Sequence, residues 1–220
     1  MKNLCIYCAG GLGKEVFDIA TRINKIHSLW DEIFFVDDIE GLADTTYLGR
    51  LFTIDKMLTE FNDDTIEVVI ANGEPVVRAK LFKKVKKLKL NITSLIDPSA
   101  SISPSASIGQ GVIAYPFTII ASSAIIGNNV LVNASSIIGH DIKVGNNTVI
   151  SSHVDVGGAS VIGENSYIGM GSMIKEKLSI GSNVIIGISS AVHRDIPDGV
   201  IAMGNPARPL RRNDDNKVFK

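Results

Sequence analysis

The sequence predicts two successive folding patterns, a parallel α/β domain of Rossmann-like type over residues 1–95 and a parallel β-helix over 96–194. In the first region, short apolar runs alternate with amphipathic stretches, which is typical of strands and helices in a parallel sheet. In the second, branched apolar residues recur every sixth position, the period of β-helix coils. Residues 195–220 are predicted to form a C-terminal turn and tail.

The first domain has predicted strands at 3–8, 33–38 and 65–71, and predicted helices at 13–26 and 74–88. The stretch that joins the first strand to the first helix, CAGGLGKEV, contains Gly10, Gly11 and Gly13 before Lys14. Glycines at such a turn let main-chain N–H groups approach a phosphate at the start of a helix. A tight structural turn explains the same glycines equally well.

The second predicted strand ends in Asp37 and Asp38, where an acidic residue can meet a ribose or a base edge. A complete dinucleotide-binding fold consists of two mononucleotide-binding halves, each built from alternating strands and helices. Only one such half fits into residues 1–95, before the six-residue repeat begins. A site for a mononucleotide or a nucleotide sugar is therefore the simpler interpretation.

The six-residue period is the clearest pattern in the chain. Steps of six from Ile96 to Val192 visit seventeen positions, of which sixteen are Ile or Val and one is Ala114. Small or compact residues follow four positions later, which predicts that both positions point inward. Glycines and asparagines also recur every eighteen residues, which indicates three hexapeptides per coil: Gly127, Gly145, Gly163, Gly181, Asn129, Asn147, Asn165 and Asn183. We expect these residues to mark one corner, because both types tolerate left-handed backbone angles.

This geometry places His140 near a corner of the prism. Coils stack at about the 4.8 Å strand spacing, so residues eighteen apart are vertical neighbours. Gly158 therefore lies one coil away from His140. Strand alternation would send the next residue, Asp141, to the opposite face, unless the corner interrupts the alternation and allows a contact between the carboxylate and the imidazole.

Composition narrows the classes of partner. A formal net charge of −1 and a pI near 6.4 argue against nucleic acid. No apolar run approaches the roughly 18 residues of a membrane span, so we expect a cytoplasmic protein without membrane contact. The lysines of 80–90 are interpreted as a solvated helix face with no function, and Cys5 and Cys8 as buried thiols of the first strand.

Several stretches together resemble a known family, the left-handed β-helix sugar acetyltransferases with an N-terminal nucleotide-binding domain: CAGGLGKEV, FVDD, IIGHDIKVG, ISSHVDVGG and MGNPARPLR. This family includes bacterial sialic acid O-acetyltransferases and N-acetyltransferases that act on nucleotide-linked 4-amino sugars. The left-handedness of the predicted helix is implied by this resemblance, because most parallel crossovers are right-handed.

The resemblance also implies roles for particular residues. His140 corresponds to the general base and Asp141 to the acid that orients its ring. Acetyl-CoA is expected in a groove between subunits of a homotrimer, where it passes Gly158, Met170, Ile188 and Pro206. The nucleotide sugar is expected at Gly11, Gly13, Lys14, Asp37 and Asp38, with Asn133 as a further substrate contact. The second histidine of some relatives is replaced here by Val149.

These roles predict an acetyl-CoA-dependent N-acetyltransferase for the 4-amino group of a nucleotide-linked 4-amino-4,6-dideoxy sugar, in the synthesis of a bacterial surface glycan such as lipopolysaccharide O-antigen. An imidazole titrates near neutral pH and suits proton removal from the attacking amine. No cysteine or activated serine is recognisable beside His140, so direct transfer within a ternary complex is expected.

Three alternatives remain open at this stage. One is O-acetylation of sialic acid or another sugar. Another is a metal-dependent hydratase, which would require closely spaced histidine ligands. His140 and His153 are thirteen residues apart and lie on different predicted corners, so no metal site is predicted. The third is a non-enzymatic trimeric β-helix, which leaves the glycine turn and the His140–Asp141 pair unexplained.

Overall fold

The computed structural model describes residues 2–39 and 48–219, and it confirms the predicted fold class. The first part is a five-stranded parallel sheet in the order β3-β2-β1-β4-β5, with helices packed against it. No helix among the described residues is both long enough and apolar enough to cross a membrane. The elements of this part are β1 (Lys2–Tyr7), α1 (Gly11–His27), β2 (Trp30–Val36), β3 (Leu51–Phe52), α2 (Ile54–Glu60), a 3-10 turn (Asp63–Thr65), β4 (Ile66–Ile70), α3 (Pro75–Lys87) and β5 (Asn91–Ile92).

Two strand ends differ from the expectation by one or two residues. The first strand stops at Tyr7, because Cys8 takes a positive φ of 85° that leaves the extended conformation. The second stops at Val36, so that Asp37 and Asp38 follow the strand instead of ending it. Both changes turn side chains toward the carboxyl edge of the sheet, where parallel α/β folds bind ligands.

The second part is a triangular β-helix built from seventeen two-residue strands. They form three parallel sheets, here called the first, second and third faces in the order in which the chain visits them. First-face strands are β6 (Leu95–Ile96), β9 (Ile113–Ala114), β12 (Leu131–Val132), β15 (Val149–Ile150), β18 (Tyr167–Ile168) and β21 (Ile185–Ile186); second-face strands are β7 (Ser101–Ile102), β10 (Ile119–Ile120), β13 (Ile137–Ile138), β16 (Asp155–Val156), β19 (Met173–Ile174) and β22 (Ala191–Val192); third-face strands are β8 (Ser107–Ile108), β11 (Ile125–Ile126), β14 (Lys143–Val144), β17 (Val161–Ile162) and β20 (Ser179–Ile180).

The predicted frame matches the core position by position. Every residue of the six-step series is the second residue of a strand, and those beyond the first coils, such as Ile138 and Ile150, are fully buried in one continuous core. The small residues four positions later also point inward, as the buried Ala124 and Ser136 show. An antiparallel hairpin of β23 (Val200–Gly204) and β24 (Ala207–Arg212) continues the first face at the end of the helix.

The corner between the third and first faces confirms the asparagine prediction but corrects the reason for its glycines. Asn129, Asn147, Asn165 and Asn183 all have positive φ angles, between 55° and 59°. The glycine column that precedes them does not use left-handed angles. A Cβ at Gly145 or Gly163 would instead lie 2.4 Å from a main-chain nitrogen of the next coil, so glycine is required there by the close approach of the backbone.

The first face of the β-helix packs against the α/β domain through a buried arginine. Arg78 of α3 donates from Nε and Nη2 to the carbonyl oxygen of Asn129, at 2.9 and 2.7 Å, and from Nη2 to its Oδ1 at 2.9 Å. It also donates from Nη1 to the carbonyl oxygens of Ile70 and Asn72. Burial lowers the pKa of Arg78 to about 9. A shared hydrogen-bond network therefore joins the two parts of the chain.

Candidate active site

His140 and Asp141 form a contact at the corner between the second and third faces, where β13 ends and β14 begins. His140 Nδ1 lies 2.7 Å from Asp141 Oδ2. Asp141 has a φ of 56°, so the chain turns in the left-handed sense and strand alternation stops at this residue. With Nδ1 donating its proton to the carboxylate, Nε2 carries the lone pair. The arrangement provides an oriented base.

Gly158 supports the imidazole from the next coil. An added Cβ at this glycine would lie 2.5 Å from His140 Nε2 and 2.7 Å from Cε1. Only a residue without a side chain lets the ring lie this close to the backbone. The residues on either side, Gly157 and Ala159, donate their N–H groups to carbonyl oxygens, whereas the Gly158 N–H makes no hydrogen bond within the described part of the chain. It is an available donor beside the ring.

Of the residues expected to contact coenzyme A, Gly158 lies beside His140, whereas Met170 and Ile188 lie away from it within a single chain. Met170 and Ile188 occupy successive coils at the corner between the first and second faces, joined by a 2.8 Å bond from Ser189 N to Met170 O. Both side chains are exposed, by 53% and 73%. Pro206 is exposed in the turn between β23 and β24. The second face thus separates His140 from Met170 and Ile188.

The other predicted residues of this region have definite places. His153 lies at the corner between the first and second faces, away from His140. Asn133 is half-buried at that same corner, and its Oδ1 accepts the Ala134 N–H at 2.7 Å. Within residues 2–39 and 48–219, no three His, Cys, Asp or Glu side chains cluster closely enough to hold a metal ion.

A cavity of about 590 Å³ opens at the carboxyl ends of β1, β2 and β4. Gly11, Asp37 and Asp38, three of the residues expected to contact the nucleotide sugar, line it. Gly13 and Lys14 are not among its lining residues. A Cβ at Gly13 would lie 2.2 Å from the carbonyl oxygen of Cys8, so this glycine allows α1 to pack against the end of β1.

Both aspartates of the cavity already have protein partners. Asp37 accepts the N–H groups of Ala9 and Ile39, at 2.9 and 3.1 Å, and thereby shapes the glycine turn. Asp38 accepts from the Tyr7 hydroxyl and from Lys84 Nζ, each at 2.5 Å. Burial raises the pKa of Asp38, but the hydrogen bonds from Lys84 and Tyr7 outweigh it and hold the pKa below its usual value.

Helix α3 contributes residues to the cavity wall that the sequence interpretation did not place there. Val77, Lys80, Leu81 and Lys84 all line the cavity, although this stretch was interpreted as a solvated face without a function. The four positions follow the i, i+3, i+4, i+7 spacing of one helix face, which indicates that they lie together but not that this face meets the cavity. Lys84 is paired with Asp38, and Lys80 adds a second positive charge to the cavity wall.

The two cysteines are free and differ in exposure, Cys5 being buried and Cys8 half-buried at the cavity. Burial raises the pKa of Cys5 far above its ordinary value and that of Cys8 to about 11. Both thiols therefore remain protonated near neutral pH, and neither is an activated nucleophile.

Comparison with known proteins supports both halves of this description. Residues 3–85 match the family described as the PglD N-terminal domain. The acetyltransferase domain of PglB from Neisseria gonorrhoeae is 28% identical and superimposes with a TM-score of 0.88, over 96% of this chain and 100% of that domain. That domain has also been solved in complex with acetyl coenzyme A. WeeI from Acinetobacter baumannii is 28% identical with a TM-score of 0.78, over 96% of this chain and 100% of WeeI.

A further solved structure shares the fold at lower identity. Perosamine N-acetyltransferase from Caulobacter crescentus, in complex with CoA and GDP-perosamine, is 24% identical with a TM-score of 0.87, over 96% of this chain and 97% of that protein. The resemblance predicted from the sequence is confirmed: residues 3–85 match the PglD N-terminal domain, and the whole chain shares the fold of the PglB acetyltransferase domain. It is an acyltransferase, and it is similar over nearly its whole length to the acetyltransferase domain of PglB.

Proposed function

We propose that this chain is an acetyl-CoA-dependent N-acetyltransferase for the 4-amino group of a nucleotide-linked 4-amino-4,6-dideoxy sugar. The observation that carries the proposal is the His140–Asp141 pair packed on Gly158. The similarity to the PglB domain, which was solved with acetyl coenzyme A, supports the same donor here. The expected place of the reaction is the cytoplasm, in the synthesis of a bacterial surface glycan.

The pair provides general-base catalysis of a direct transfer. The substrate amine attacks the thioester carbonyl carbon, and His140 Nε2 removes the proton that the nitrogen must lose. Asp141 accepts the Nδ1 proton in a hydrogen bond, so it orients the ring and stabilises the imidazolium. The Gly158 N–H is the proposed donor to the oxyanion of the tetrahedral intermediate. Collapse of the intermediate releases the thiolate of coenzyme A, which takes the proton from His140.

The cavity of the N-terminal domain is the proposed site of the nucleotide. Parallel α/β sheets bind ligands at the carboxyl ends of their strands, and this cavity has the start of α1 on one side and Lys80 and Lys84 on another. A diphosphate is favoured by both features. Asn133, beneath the α/β domain, is proposed to contact the sugar.

Catalysis is proposed to require a homotrimer. Met170 and Ile188 line one edge of the second face and His140 lies at the other, so a groove containing all three is formed only when two chains meet. The second face itself exposes Ile119, Ile137 and Met173, by 42%, 40% and 66%. Asp155 lies between Ile137 and Met173 on this face, but several exposed apolar side chains on one face are typical of a surface that is buried on association.

O-acetylation of a sugar such as sialic acid remains the second candidate, because the same base could act on a hydroxyl. The lysine-lined nucleotide cavity favours an acceptor that carries a diphosphate, which free sialic acid lacks. The perosamine enzyme shares only the fold at 24% identity, so its sugar is no guide to the sugar used here.

The test is an acetyl-CoA consumption assay with UDP-, dTDP- and GDP-linked 4-amino sugars and with free sialic acid. We expect turnover of one nucleotide sugar and a loss of at least about 100-fold in kcat for His140→Ala. His193→Ala, an exposed histidine outside the site, is the matched control and should keep wild-type activity. A near-normal rate for His140→Ala would refute the general-base role, and turnover of sialic acid alone would favour O-acetylation.

A further inference from the structure

Residues 213–219, here called the latch, run from the end of the β-helix to the rim of the nucleotide cavity. The latch begins at Asn213, which is 7% exposed. Asn213 N donates to Gly199 O at 2.8 Å, and its Nδ2 donates to Asn183 O at 2.9 Å. This end of the segment is therefore anchored on the last coils.

The other end of the latch is bound to the α/β domain through Glu74. The main-chain N–H of Val218 donates to Glu74 Oε1 at 2.8 Å, and that of Phe219 donates to Oε2 at 3.1 Å. Glu74 is the residue that precedes α3, and its side chain makes no capping hydrogen bond to that helix. Both carboxylate oxygens are used to hold the latch, and hydrogen bonds to a charged group are stronger than neutral ones.

Glu74 adjoins the residues that line the cavity. Its own N–H donates to Asn72 Oδ1 at 2.9 Å, and both Asn72 and Gly73 are part of the cavity wall. The ring of Phe219 covers Gly73, where a Cβ would lie 3.5 Å from the ring. The latch thus contacts the loop between β4 and α3, and neither Val218 nor Phe219 lines the cavity itself.

Phe219 also contacts the β-helix. Its ring meets Tyr167 of the first face edge to face, with centroids 5.7 Å apart and planes at 83°. The Tyr167 hydroxyl lies 3.1 Å from Ser151 Oγ, and Ser151 lies one coil above Asn133, the proposed sugar contact. A continuous row of side chains therefore connects the cavity wall with the coils on which the sugar is proposed to lie.

We propose that the latch is a positioning element for the nucleotide sugar, in which Glu74 and Phe219 hold the Asn72–Gly73 wall against the β-helix. This inference rests on the proposed function, because it assigns the cavity to the nucleotide part of the acceptor. Loss of the latch releases one wall of the cavity and leaves the proposed coenzyme A residues untouched. Weakened binding of the nucleotide sugar without weakened binding of acetyl-CoA is the expected result.

The experiment titrates the full chain with UDP, dTDP and GDP by calorimetry and measures KM for both substrates in the transfer assay. Phe219→Ala and a deletion of residues 218 and 219 should weaken nucleotide binding about tenfold, or about 1.4 kcal/mol. Phe219→Tyr keeps the ring and should restore binding to within about twofold. Leu210→Ala is the matched control, since Leu210 is exposed by 61% and Phe219 by 57%.

A KM that rises for the nucleotide sugar alone, with an unchanged melting temperature, supports the latch. Equal nucleotide affinity in all variants overturns it, as does a loss of affinity that follows a fall in the melting temperature. Glu74→Gln keeps one acceptor oxygen and should give an intermediate affinity, which a purely steric effect of the ring would not produce. If the wild-type chain binds no nucleotide and acetylates no nucleotide sugar, the proposed function fails together with the latch. If the wild type is active and the latch variants bind nucleotide as tightly as it does, only the latch proposal is refuted.

Discussion

Substitution of Gly158 by alanine tests the proposed active site most directly. The added methyl group would lie 2.5 Å from His140 Nε2, 2.7 Å from Cε1 and 2.8 Å from Cδ2. Carbon and nitrogen atoms in contact are normally about 3.5 Å apart, so the ring must move by about 1 Å. Because the His140 side chain is 67% exposed, it can move toward solvent at little cost to stability.

The displacement should be costly for catalysis. The ring would leave the position in which its Nδ1 bonds to Asp141 at 2.7 Å, and Nε2 would no longer face the reacting nitrogen. A misplacement of about 1 Å costs on the order of 100-fold in rate. We therefore expect Gly158→Ala to lower kcat about 100-fold, with a melting temperature within about 2 °C of the wild type.

The assay compares steady-state kcat and thermal unfolding for Gly158→Ala and Gly145→Ala. At Gly145 the added Cβ meets the main chain of the next coil at 2.4 Å, so this variant should lose stability. The double variant His140→Ala/Gly158→Ala should be no slower than His140→Ala alone, because both changes remove one base. A kcat for Gly158→Ala within threefold of the wild type, with a correctly folded protein, would refute the reasoning.

Two further predictions concern the joint between the domains. Arg78→Met leaves three carbonyl oxygens and one amide oxygen without their hydrogen-bond donor. The free energy of unfolding, measured by urea denaturation, should therefore fall by about 3–5 kcal/mol. A loss below about 1 kcal/mol would mean that water replaces the guanidinium. Asp97 bonds to Ser99 and Arg22, and although burial raises its pKa, these bonds lower it below the usual value. A carboxylate whose pKa is lower in the folded state stabilises the fold at pH values above its unfolded pKa, and this stabilisation is lost as the pH falls through the folded pKa. The stability advantage of the wild type over Asp97→Asn should therefore shrink below about pH 4. A constant difference from about pH 7 to about pH 3 would contradict the assignment.

The hexapeptide frame illustrates what local sequence can predict. Each coil repeats the same three hexapeptides, so the inward position of Ile138 or Ile150 follows from the period without reference to any distant residue. The left-handed turn at each corner has the same local origin, and Asn147 adopts it because its side chain tolerates a positive φ. Stacking then turns an eighteen-residue separation into a contact, which is why the neighbourhood of His140 and Gly158 could be predicted.

The cavity shows where local patterns are insufficient. Lys80 and Lys84 belong to a helix whose sequence alone does not reveal which of its faces meets the sheet edge. Lys84 reaches Asp38 across 46 positions, and Arg78 reaches Asn129 across 51. Contacts of this kind depend on how the α/β domain sits on the first face, and no period in the sequence encodes that placement.

The sequence by itself determined the repeat, its register and the residue types at each corner, because those depend on interactions between neighbours in a regular coil. The tertiary structure decided that Asp141 turns back to the imidazole, that residues of α3 line the cavity at the sheet edge and that residues 213–219 reach Glu74. It also separated His140 from Met170 and Ile188 by a whole face of the prism. The physical reason is that side chains far apart in the chain meet only after the core is packed, and their distances then follow from the packing of entire layers.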